Sequence, residues 1–119
     1  MTTVRLLLNC PDREAARSIA PALHDARLVA CANIYAEIES HYVWQGERQV
    51  ETEVPLALKS RGDLVPAIEA KVRALHPYDV PPLVAQTMDH VHAPFSDWVA
   101  EMTAEAEIDA PRDREGTSR

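Results

Sequence analysis

The chain has 119 residues, 46% of them hydrophobic and 26% charged, with a net charge of −7. That length suits one domain with a modest core, and an acidic balance without any basic run argues against nucleic acid binding by phosphate neutralisation. No stretch approaches the roughly 18 apolar residues of a membrane span, the apolar run in MTTVRLLLNCPDREAA is too short for a signal segment, and Cys10 and Cys31 make no CxxC pair, so the cytoplasm is the expected compartment.

The first predicted element is TVRLLLNC (3–10), a compact apolar run that reads as a buried strand. Asp12 then suits the N-cap of an alanine-rich helix, REAARSIAPALHDARL, with Glu14 in its first turn. Pro21 removes a hydrogen bond from that helix, so a kink or an early end is expected there. LVACANIYAEIESHYVW (28–44) is rich in strand formers and alternates at its far end. Ile38, Ser40, Tyr42 and Trp44 share one face; Glu39, His41 and Val43 share the other. QGER turns the chain, and QVETEVPLALKS (49–60) returns as the second arm of a long β-hairpin, with Pro55 at an edge or a bulge. A hairpin with one apolar face rarely stands alone in water and calls for a partner surface.

Asp63 is placed to cap the second helix, LVPAIEAKVRALH, whose Val65, Ile68, Val72 and Leu75 make an apolar stripe, with Pro66 in the first turn. VPPLVAQTM (80–88) is a fourth extended segment, and PFSDWVAEMTAEAE (94–107) a closing helix with Phe95, Trp98, Val99 and Met102 inward. Residues 1–107 thus form one domain, and 108–119 a tail with no apolar periodicity, expected to be disordered. The order β-α-β-β-α-β-α describes an α+β, ferredoxin-like fold with an added C-terminal helix. A doubly wound parallel sheet would need a helix between every pair of strands, and the turn at 45–48 is too short for one.

Few residues suggest chemistry. RALHPYDVPPLVA (73–85) reads in two ways. It ends a helix at Pro77 and starts an extended segment, or it projects His76, Tyr78 and Asp79 from a rigid loop where imidazole and carboxylate suit copper or zinc. Cys10 is a candidate soft ligand, whereas Cys31 reads as a small core residue. His90 and His92 read as a solvated loop more readily than as a surface metal site, and His24 and His41 have no special role. Glu53 and Lys59 lie six residues apart on one strand face, and Lys59 with Arg61 can hold an anion. There is no GxGxxG, P-loop, GxSxG, HExxH or CxxC pattern, so nucleophile, base and oxyanion donors cannot be assembled into an enzyme.

Taken together, ARLVACANI, IESHYVWQGERQVETEV, LKSRGDLVPAIEAKVRALHPYDVPPLVA and FSDWV resemble the CutA family of divalent-cation tolerance proteins, over residues 4–102. Ser40-x-Tyr42-x-Trp44-x-Gly46, the Glu53-to-Lys59 spacing and His76-Pro77-Tyr78 followed by Pro81 carry the resemblance. It implies a cytoplasmic, non-catalytic homotrimer whose hairpins pair between subunits, with Tyr42, Trp44, Val54 and Leu56 in the trimer hairpin. It also implies binding of copper or another divalent cation through His76, with Cys10 as a second ligand, and a cleft lined by Glu53, Lys59, Tyr78, Asp79 and Trp44. The chain departs from the family pattern at Leu75, where some members carry a second histidine, and at Asp79, which stands for the usual Glu. The alternative is a trimeric sensor like the PII signalling proteins, binding a small anion at the intersubunit cleft through Lys59 and Arg61.

Overall fold

A computed structural model describes residues 2–108; the expected disordered tail lies, but for Ile108, outside them. β1 (Thr3–Cys10) leads to α1 (Arg13–Asp25), β2 (Cys31–Ile34), β3 (Ile38–Trp44), β4 (Glu47–Arg61), a 3-10 turn (Gly62–Leu64), α2 (Val65–Leu75), β5 (Leu83–Thr87) and α3 (Ala93–Met102). The inner sheet runs β2-β4-β1-β5 with β3 paired to the outer half of β4, and every pairing is antiparallel. This is the expected α+β, ferredoxin-like order with a closing helix.

Strand alternation sorts the sheet into two faces. Leu6, Leu8 and Cys10 of β1 lie level with Leu58, Leu56 and Val54 of β4, and these, with Val4, are buried with Ile19 and Leu23 of α1 and Ile68 and Val72 of α2. Burying each of the larger aliphatic side chains stabilises the fold by about 1.5–3 kcal/mol. The odd-numbered residues of β1 and β4 face the other way. There α3 covers part of the sheet, tied by the 2.7 Å contact of the Ser96 and Thr3 hydroxyls. Val99 is its one fully buried apolar residue; Phe95 and Trp98 are well exposed, contrary to the inward face expected of them.

Helix α1 runs through Pro21 and does not stop there, since the exposed side of the helix accommodates the ring. It ends four residues later. The chain reverses at Arg27 (φ 59°), and the Leu28 N–H donates to the Leu23 carbonyl at 3.0 Å. Asp12 caps its start as expected, accepting from the Ala15 N–H at 2.8 Å. Asp63 caps nothing: the 3-10 turn intervenes, Leu64 occupies the N-cap of α2, and Asp63 pairs instead with Arg61 at 3.4 Å.

The long strand expected over 28–44 is interrupted at Tyr35–Glu37, leaving β2 and β3 separate. Pro55 explains the position of the gap. In an antiparallel strand the N–H and C=O of one residue point to the same side, and the Pro55 carbonyl accepts from the Tyr35 N–H at 2.9 Å. The missing N–H of Pro55 therefore falls where β2 has ended and β3 has not begun, so no ladder bond is lost. At the far end Gln45 (φ 52°) and Gly46 (φ 81°) both take positive φ, the pattern of a tight type I′ turn, and Trp44 pairs directly with Glu47. The hairpin is thus β3–β4, and its returning arm is a 15-residue strand that continues into the centre of the sheet.

Candidate functional site: a crevice at the base of the hairpin

Three pieces of chain meet beside the end of β1: the near face of the hairpin, Asn9, and the loop after α2. They enclose a crevice of about 740 Å³ lined by Ser40, His41, Tyr42, Trp44, Gln49, Glu51 and Glu53 from the hairpin and by Pro77, Tyr78, Asp79, Val80 and Pro82 from the loop. The period-2 alternation of the strands makes this wall: Ile38, Ser40, Tyr42 and Trp44 stand opposite Glu53, Glu51, Gln49 and Glu47, all on one face.

The loop is held by His76. Buried at the end of α2, its Nε2–H donates to the Asn9 carbonyl at 2.9 Å, and its Nδ1 accepts the Tyr78 N–H at 3.1 Å. A carbonyl on one side and an N–H on the other fit only the neutral imidazole with its proton on Nε2. The Tyr78 ring packs edge-on against the imidazole, centroids 4.8 Å apart. So positioned, the Tyr78 hydroxyl donates to Glu53 Oε2 at 2.9 Å, while the Tyr42 hydroxyl donates to Glu51 Oε1 at 2.9 Å. Burial and the bonded Glu53 push the Tyr78 phenol well above its ordinary range. The bond to Glu51 is the main cause of the upward shift at Tyr42.

Glu53 is the unusual member. It is 5% exposed, yet no Lys, Arg or His lies within ion-pair distance among the described residues. Its Oε2 accepts from Tyr78; Oε1 bonds to no protein group among the described residues and opens to the crevice. With one oxygen held and the other open, this residue is the point at which the crevice can accept a hydrogen bond. The strand spacing marked Glu53; its isolation from cations depends on tertiary packing and has no signature in the sequence.

Of the candidate residues, the structure brings together Glu53, Tyr78, Asp79, Trp44 and Tyr42. Lys59 is elsewhere. It does share a strand face with Glu53, but six residues of extended chain set their backbones about 20 Å apart, and Lys59 lies between Arg5 and Cys31 on neighbouring strands. Arg61, at the end of the same strand, is also outside the crevice lining. Val54 and Leu56 are fully buried in the core of the protomer, because β4 has entered the sheet by that point; they do not belong to the exposed arm of the hairpin. Glu51, whose carboxylate helps to form the crevice, gave no signal in the sequence beyond its parity with Glu53.

The donor set of one chain does not fit a copper centre. No group of three or more His, Cys, Asp and Glu side chains converges among the described residues. Both nitrogens of His76 are engaged, and Cys10 sits in the apolar core with its thiol pushed up to about 11 by burial first and then by the charges of Asp12 and Glu53. Thiolate is the ligating form, so the environment of Cys10 opposes that role. Cys31, read as a core residue, is partly exposed on the face opposite α1 and α2.

Fold and crevice together define a ferredoxin-like α+β protein with a projecting hairpin and an acidic, aromatic-walled recess at its base. The family model of the CutA1 divalent ion tolerance protein matches residues 4–102, and the chain belongs to that family. It is 40% identical over 98 residues to the divalent-cation tolerance protein CutA of Thermus thermophilus, covering 82% of this chain and 95% of that protein. It is 35% identical over 96 residues to Protein CutA of mouse and of human, of which it spans only 54% of the length. Among solved structures, the Cut A1 protein from Thermus thermophilus superposes with a TM-score of 0.82 at 39% identity, covering 85% of this chain and 98% of that one. CutA1 from Oryza sativa gives 0.84 at 31%, covering 89% and 97%.

Proposed function

We propose that the protein is a non-catalytic, cytoplasmic homotrimer that acts in tolerance of divalent cations, copper among them, and that any copper centre is built between copies. One observation carries the assembly: the hairpin exposes Ile38 (40%), Tyr42 (37%), Val43 (67%), Trp44 (45%) and Val50 (52%). So much bare apolar surface on a two-stranded arm calls for a covering partner. Heterologous contacts that close into a ring supply one from the chain itself. The binding role is supported by the family's name and by the phenols of the crevice, which donate to carboxylates and are shifted upward, the reverse of an activated nucleophile. Two unpaired cysteines agree with a reducing compartment.

The alternative, a small-anion sensor using Lys59 and Arg61 between subunits, would place its ligand away from this crevice, whose lining holds Glu51, Glu53 and Asp79 and no Lys or Arg. Calorimetric copper titration of the native protein and of Trp44→Glu, whose added charge on the hairpin disfavours association, tests the reading. The expected result is a saturable site in the assembly and its loss in the dissociated variant. Equal stoichiometry and affinity in both would contradict a centre built between copies.

A further inference from the structure

The exposed hairpin has two faces, and only one of them looks onto the crevice of its own chain. We infer that the other, outer face is received by a second copy, in a groove between α2 and β5, with Val43 and Val50 seated there. The inference rests on the homotrimer proposed above and says which surface takes the arm.

The groove has the size and lining to take side chains of a protein partner. It encloses about 280 Å³ at the edge of the sheet, where β5 pairs with β1 alone. That falls under the range of about 300–1,000 Å³ usual for small-molecule sites. Leu6 and Val72 reach it from the core, and Val65, Leu83 and Val80 wall it; Val80 is 66% exposed. Glu69, Asp79 and Arg73 complete the lining, two carboxylates against one guanidinium, and none of the three is in an ion pair among the described residues.

The arm carries the complementary pattern. Period-2 alternation turns Val43 of β3 and Arg48 and Val50 of β4 away from Tyr42 and Trp44, and Val43 stands directly opposite Arg48. Both valines are well exposed, and Arg48 is in no ion pair among the described residues. An apolar pair with a cation beside it thus faces an apolar groove with an excess of carboxylate beside it. Seated together, the valines cover Val80 and Leu83 while Arg48 meets Glu69 or Asp79. The match lies between copies, since neither valine lines the groove of its own chain, and β3 stands on the β2 side of β4 whereas β5 closes the opposite edge.

Cross-linking of the full-length protein tests the placement. With Cys31→Ser in the background, the buried Cys10 is the one native thiol left. Val43→Cys and Val80→Cys, both at exposed positions where folding is not at risk, are introduced singly and together and treated with a short bismaleimide. The double variant should run as covalently joined chains on a denaturing gel, and each single variant as one chain. Joining in Val43→Cys alone would set arm against arm and overturn the groove. A charge exchange gives a second readout. Arg48→Glu should weaken assembly about tenfold, read from the concentration dependence of light scattering, and adding Glu69→Arg should recover most of the loss. No joining in the double variant and no effect of Arg48→Glu, in a protein that scatters as an assembly, would overturn the groove and leave the homotrimer standing. A native protein of one chain mass at every concentration would overturn both.

Discussion

Residue by residue, the crevice is a chain of dependencies: His76 fixes the loop, the loop fixes Tyr78, and Tyr78 fixes Glu53. The two readings open for RALHPYDVPPLVA prove to be parts of one arrangement. The segment does end α2, and by ending it there it forms one wall of the recess. That His76 sits at a helix end was legible from Pro77 alone. That both its nitrogens are engaged was not, because Asn9 is 67 positions away. Cys10 illustrates the same limit from the other side: its place in an alternating strand was legible, but which face would be covered by helices decides its chemistry. Its raised pKa has a consequence for stability. The folded state keeps the thiol protonated to about 11, whereas the unfolded chain loses the proton near 9.0. Stability is therefore fully present below about pH 9 and falls as pH rises through that window. Urea midpoints measured between about pH 8 and 9.5, where ordinary tyrosines are still mostly protonated, should drop in the native protein and drop less in Cys10→Ala. An identical slope in the variant would place the titrating group elsewhere.

Among the elements, the β3–β4 hairpin is the most revealing. Its existence, its turn and its facial alternation were legible from SHYVWQGERQVETE, because period-2 patterning and a glycine in a tight turn are local properties. Where one strand would break into β2 and β3 was not, since the reason lies in Pro55 on the partner strand. Of the two outcomes expected at Pro21, the early end does not occur: Pro21 lies on the exposed side of α1, and the buried Ile19, Ala20 and Leu23 hold the helix on past it. The turn offers a clean energetic check. A Cβ at Gly46 would meet nothing within 4 Å, so the only cost of Gly46→Ala is the positive φ. A loss of about 1 kcal/mol is expected from that backbone preference, read as a lower urea midpoint with unchanged m-value. No loss at all would mean that the turn relaxes away from the type I′ form.

At the scale of the whole molecule, charge and apolarity are separated along one strand. The outer half of β4 carries Glu47, Glu51 and Glu53 on the crevice side, and the inner half carries Lys59 and Arg61 on that same face. The sequence shows these residues six and more positions apart but cannot show that one unbroken strand joins them. It does, and so its one face is acidic at the hairpin and basic near Arg5, which stands opposite Lys59. Such a surface is complementary to a second copy that sets acidic end against basic end. The apolar side chains left bare on the hairpin give a second reason for a covering partner.

The central claim, that this exposed arm is covered by further copies of the chain, is tested most directly by light scattering on the eluting protein. A single species of three times the 13.2 kDa chain mass is expected. A stable, fully folded species of one chain mass, unchanged on raising the concentration a hundredfold, would contradict it.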